Sequence, residues 1–286
     1  MLDDFYHDRL IIDDPFTNRV KRVTTSLLLF LIAFMVAHLV HQLLLDGIAN
    51  ILMYNTKFLF NKVSVSPNET KYWGTFRVIA IYITPIIVCL IISLLILRTL
   101  VNLGESVRRY RLVLMWFHLA FFSVFIVQLC TVPFGQGSFS SDFYQGISIL
   151  FSWLRVPDVV GYVLAIIGVV IALFWGVFMG NEVLRFSYSS RLINAKRGKR
   201  YIARLLLFWP MILAIPIVFL LFYPKVNLFH LLYVGTIICI AIGALLRYNV
   251  DMTSVACSKE DLANRWSWDY LLVFLGLLFF IKMYWS

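Results

Sequence analysis

The chain alternates between long unbroken runs of apolar residues and shorter stretches where charges, prolines and glycines collect. Seven of the runs, at 23–45, 76–97, 112–132, 159–179, 202–223, 228–246 and 268–285, are long enough to be read as membrane spans. About 20 apolar residues in a helix rising 1.5 Å per residue cross the ~30 Å hydrocarbon core of a bilayer. The last run has the shortest apolar centre, 271–281, with Trp266, Trp268, Tyr284 and Trp285 near its ends. Those aromatics suit the two headgroup levels, which predicts a short span. The expected fold is all-α: a polytopic transmembrane helical bundle of about seven spans, forming one integral membrane domain over residues 1–286.

Composition leads to the same place. Hydrophobic residues make up 61% of the 286, charged residues 14%, and the mean hydropathy is +0.86. Soluble domains carry about 25% charged residues, because a water-facing surface needs them. Too little polar surface is present here to cover a water-soluble globule, so the lipid bilayer is the expected solvent. The first run follows a stretch that holds five Asp and four basic residues, and it is full length. That pattern predicts a retained anchor rather than a cleaved signal.

The net charge of +10 changes the picture only through its distribution. With the seven spans in place, 18 of the 25 Lys and Arg fall on the side of the N-terminus. Positive loops resist translocation, so that side is predicted to be cytoplasmic and the C-terminus to lie outside. The basic excess is thereby spent on topology and on contact with anionic lipids, and nucleic acid is not an expected partner. The densest cluster, Lys196, Arg197, Lys199 and Arg200, sits in one inside connection and is a candidate for a lipid headgroup or an acidic partner.

The outside connections are the longest. The first contains Asn68-Glu69-Thr70, a glycosylation triplet on the predicted non-cytoplasmic side. The second opens with Gly135-Gln136-Gly137-Ser138 and then carries a short apolar stretch at 147–154. That stretch is too short to span and should lie at the interface or fold back on the bundle. Gly176 and Gly180 on the fourth span, and Gly235 and Gly243 on the sixth, mark faces where another helix, of this chain or of a membrane partner, can approach closely. Pro210 and Pro216 should kink the fifth. Cys89, Cys130, Cys239 and Cys257 have no CxxC spacing and share no outside loop, so they read as small apolar residues.

Candidate chemistry is sparse. No carboxylate, Lys or Arg is expected at mid-bilayer, which excludes a buried acidic proton relay and a voltage sensor. Four histidines do fall in spans: His38 and His41 on the first, His118 on the third and His230 on the sixth. Helix direction puts His38, His41 and His230 toward the outer side with Asp46, and His118 ~15 Å away in the inner half. Three imidazoles and a carboxylate are a zinc-type set able to activate water. The string Ala37-His38-Leu39-Val40-His41-Gln42 has a superficial likeness to the HExxH helix of intramembrane zinc proteases. Its histidines are three apart instead of four and the general-base Glu is missing, so that family is not assigned. Trp266-Ser267-Trp268-Asp269 resembles a fragment of the WWD segment of haem-handling cytochrome c assembly proteins, but it is predicted inside, where an aromatic anchor explains it better.

Three function classes follow. The first is a non-catalytic membrane component: a subunit, an assembly factor or a transport-related scaffold, with no resident cofactor. The second is an intramembrane zinc-dependent hydrolase using His38, His41, His230 and Asp46. The third is a facilitative carrier or channel lined by the kinked fifth helix.

Overall fold

Helix α1 spans Phe16–Ile51 and outruns its apolar stretch by about two turns at either end. Hydropathy marks where a helix meets hydrocarbon, not where it stops. The chain leaves α1 at Met53, whose φ of 61° is left-handed, while Tyr54 N–H returns to the Ala49 carbonyl. A left-handed residue just past the last turn is the usual way to close a helix. The computed structural model describes residues 15–59, 62–66, 74–103, 108–135, 147–186, 196–222, 228–246 and 267–285.

After α1 come strands β1 (Asn55–Leu59) and β2 (Lys62–Ser66) and helices α2 (Thr75–Asn102), α3 (Arg108–Gly135) and α4 (Ile147–Trp153). Then follow α5 (Asp158–Leu184), α6 (Lys196–Ala203), a π-helical turn (Arg204–Phe208), α7 (Trp209–Phe222), α8 (Leu228–Leu246) and α9 (Trp268–Trp285). Among the described residues six helical stretches are long and apolar enough to cross a membrane, and they match the first six expected spans. Helix α9 forms over the seventh and is 18 residues long. The glycosylation triplet, Gly137-Ser138 and Cys257 lie outside the described residues.

One short element among the described residues is not helical. The connection between α1 and α2 pairs β1 with β2 as an antiparallel hairpin, Asn55 opposite Ser66 and Leu59 opposite Lys62. Its Val63 and Val65 pack on a cluster of Leu45, Ala49, Tyr54 and Ile81, where α1 ends and α2 begins. Alternating valines are what a half-covered strand needs.

Helices α1 and α3 form the centre, with Phe30, Phe34, Met115 and Trp116 almost fully buried. Helix α5 lies at the rim and exposes Val159, Ile166 and Phe174, an apolar surface suited to lipid. Against its inner face runs α8. At Gly176 a Cβ would fall on the Ile240 carbonyl, and at Gly243 on the Leu173 carbonyl, so both glycines are needed where these backbones cross. Gly235 has open space around it. The short α4 folds back onto α2 and α3: Ser148 and Leu150 are buried, Trp153 is exposed, and Gln128 Oε1 accepts the Ile147 N–H at 3.1 Å.

Proline decides the next segment. Pro210 has no N–H to offer the carbonyl of Leu206 four residues back. That carbonyl accepts Ser26 Oγ–H from α1 at 2.6 Å, and Ser26 Oγ accepts Trp116 Nε1–H from α3 at 2.9 Å. The π-helical turn sits directly before this proline, and the freed backbone group becomes a three-element junction.

Candidate functional site: a buried imidazole cluster

His38 and His41 stand three apart on α1 and so share a helix face. Helix α8 brings in His230 in its first turn. All three rings are buried, at 1%, 3% and 1% exposure. The His38 and His230 ring centroids are 5.3 Å apart at an interplanar angle of 55°. Phe222, at the end of α7, stacks on His230 at 3.5 Å and presents an edge contact to His38 at 5.3 Å. Phe229 lies parallel to His41 at 6.1 Å. The predicted meeting of the first and sixth spans at this level is therefore found, with phenylalanines filling the space around the imidazoles.

Among the described residues no three of His, Cys, Asp and Glu are placed to hold one metal ion. Asp46, two turns beyond His38, is half-buried and accepts Asn50 Nδ2–H at 3.1 Å. One feature of the cluster is chemically unfinished: both ring nitrogens of His41 are buried and lack a hydrogen-bond partner.

His118 is separate and fully engaged. Trp175 of α5 donates Nε1–H to His118 Nε2 at 3.0 Å. The imidazole proton must then sit on Nδ1, which faces the Ser93 hydroxyl at 2.8 Å and the Ser93 carbonyl at 2.9 Å on α2. Ser93 Oγ–H in turn donates to the His118 carbonyl at 3.1 Å. Phe122 and Trp175 lie against the ring. Both nitrogens are spent on tying α2, α3 and α5 together.

Sequence reasoning missed the ion pairs of one buried carboxylate. Glu182 lies in the last turn of α5 and is buried; Arg111 Nη2 of α3 meets its Oε2 at 3.0 Å and Arg185 Nη1 meets its Oε1 at 3.4 Å. Arg111 Nη1 also donates to the Leu103 carbonyl at 2.7 Å. The available signal was an acid and a base at the same predicted end of two spans.

Two concavities lie among the described residues. A groove of about 450 Å³ between α3, α5 and α8 is lined by Cys130, Ala165, Val169, Leu232, Gly235 and Cys239 among others, with Thr236 as its one hydroxyl. Cys130 and Cys239 are free thiols. A smaller cleft where α5, α6 and α8 meet carries Lys199 and Arg200. The side chains of Lys196 and Arg197, the other two candidates there, lie outside the described residues. No family model matches the chain, and no curated protein or solved structure matches it.

Proposed function

We propose that this protein is a non-catalytic integral membrane component, a helical scaffold serving as a subunit, an assembly factor or a transport-related part. The observation that carries the reading is where the buried polar side chains go. Ser26, Ser93, Trp116, His118 and Trp175 spend their hydrogen bonds on neighbouring helices. An active site or a permeation path needs such groups turned toward a substrate, and interhelical bonding is instead what stabilises a bundle in lipid. The groove between α3, α5 and α8 is apolar, which suits hydrocarbon better than a polar solute. In this reading seven spans cross the membrane, α9 included, with the N-terminus cytoplasmic as the 18 basic residues on that side require.

The hydrolase is the competing reading, and His41 with its two unpartnered nitrogens is the observation in its favour. Metal content of the detergent-purified protein, prepared without chelator, separates the two. The scaffold predicts no stoichiometric zinc in wild type, His38→Ala or His41→Ala. About one zinc per chain, lost in both variants, would replace the scaffold by the metal enzyme.

A further inference from the structure

Helices α5 and α8 meet backbone to backbone where Gly176 faces the Ile240 carbonyl and Gly243 the Leu173 carbonyl. On the N-terminal side of that crossing they part. Gly235 of α8 has open space where a Cβ would stand, and α5 leans instead on α3, with Gly168 against Cys130 Sγ. The Cys130 thiol donates to the Ala165 carbonyl at 3.9 Å and holds the two helices there. The wedge left between α5 and α8 is the groove of about 450 Å³, with Cys130 on its α3 side and the glycine crossing closing its deep end. We propose that this groove holds one alkyl chain of a bilayer lipid, drawn from the leaflet on the side where α5 and α8 begin.

Four properties select that ligand. Depth comes first. Counted from Asp158 and Leu228, where α5 and α8 begin, the lining residues lie roughly 6 to 20 Å along the helices, inside the hydrocarbon and below headgroup level. Length agrees with depth: Ala165 to Ala172 and Leu232 to Cys239 each extend about 10 Å, within the ~15 Å that the chains of one leaflet cross. Access is lateral, because Ile166, Val169 and Val170 on the α5 wall are exposed and the mouth opens toward lipid. The lining then decides what stays. Thr236 is its one hydroxyl, so water finds too few partners there. Left empty in hydrocarbon, the groove would forfeit dispersion contact along every wall. A chain within it touches protein on three sides, whereas a chain on a flat helix face touches it on one. Width excludes the rival occupant. A second helix is ~10 Å across and would ride on the exposed Ile166 and Val170 without reaching Cys130.

The test is photolabelling of the full chain in phosphatidylcholine vesicles doped with a phosphatidylcholine that carries a diazirine in the middle of one chain, followed by peptide mapping. Label per residue should be about threefold higher or more on the groove walls than on Leu272 and Phe279 of α9, which are apolar and at least as exposed. Gly235→Leu puts a side chain into the open space and should cut the groove label about fivefold, with the α9 label unchanged. Should that variant not yield monodisperse protein, Gly235→Ala carries the test, with an expected loss of about twofold. Equal label on the groove and on α9 would reduce the site to ordinary boundary lipid and overturn the proposal. Groove label that survives the filling variant would do the same. So would an unlabelled groove, the outcome expected if a partner helix covered it. The groove shares no residue with the imidazole cluster, so this inference and the scaffold reading fail separately.

Discussion

Ser26 shows what a single hydroxyl does in this interior. It donates to a carbonyl that a proline has released and accepts from the most buried tryptophan in the core, so one small side chain satisfies groups on two other elements. Ser26→Ala leaves the Leu206 carbonyl and the Trp116 N–H bare at once, and an expected loss of about 1–2 kcal/mol should appear in denaturant unfolding of the detergent-solubilised protein. The same substitution made in a Pro210→Ala background should cost less, because an N–H is restored to residue 210 for the Leu206 carbonyl. A penalty that stays the same would show that proline does not create this junction. The sequence announces Pro210 as a kink but not its partner, since nothing in a list of residues says which helix will bring a hydroxyl to a freed carbonyl. The histidines divide along the same line. Their depth was legible from helix direction, and that kept His118 apart from His38, His41 and His230. Whether an imidazole bonds a tryptophan, as His118 does, or stacks on a phenylalanine, as His41 does, depends on side chains from other helices.

Helix crossings are the next scale. Small residues appear on α5 and α8 at several positions, yet only certain ones face a neighbouring backbone. Gly176 and Gly243 do, while Gly235 looks into open space beside the apolar groove. Alanine at Gly176 should therefore cost about 3 kcal/mol or more, because the obstacle is a carbonyl on a helix backbone and not a mobile side-chain tip. Alanine at Gly243 should behave alike. Gly235→Ala should be neutral or slightly stabilising, since alanine is the better helix former and meets nothing. Thermal unfolding and monodispersity of the three variants check this, and a Gly235→Ala protein as damaged as Gly176→Ala would show that the α5–α8 crossing is not where strain concentrates. The motif spacing on α5 correctly signalled close approach. It could not say that the partner is α8 of the same chain, because a small-residue face is equally suited to another molecule. The hairpin β1–β2 was not anticipated at all: its valine alternation covers only five residues and is lost beside the long apolar runs around it.

For the whole molecule the outstanding quantity is which way the bundle sits. Cysteines placed singly at Lys57, Arg185 and Met283, all exposed, report it when Cys89, Cys130, Cys239 and Cys257 are first replaced. A membrane-impermeant maleimide added from the non-cytoplasmic side should label Lys57→Cys and Met283→Cys and spare Arg185→Cys. Labelling of Met283→Cys only together with Arg185→Cys would mean that α9 does not cross, and labelling of Arg185→Cys alone from that side would invert the bundle. What the sequence determined by itself is the class of molecule and the order and approximate place of its helices. Those follow from the free energy of moving apolar runs out of water, a local and additive quantity that composition and length report directly. What only the tertiary structure decided is the pairing: His118 with Ser93 and Trp175, Arg111 with Glu182, Ser26 with Leu206, Gly176 against Ile240. Each pairing depends on the rotation and crossing of helices far apart in the chain. Packing against neighbours sets those angles, and no single helix encodes them.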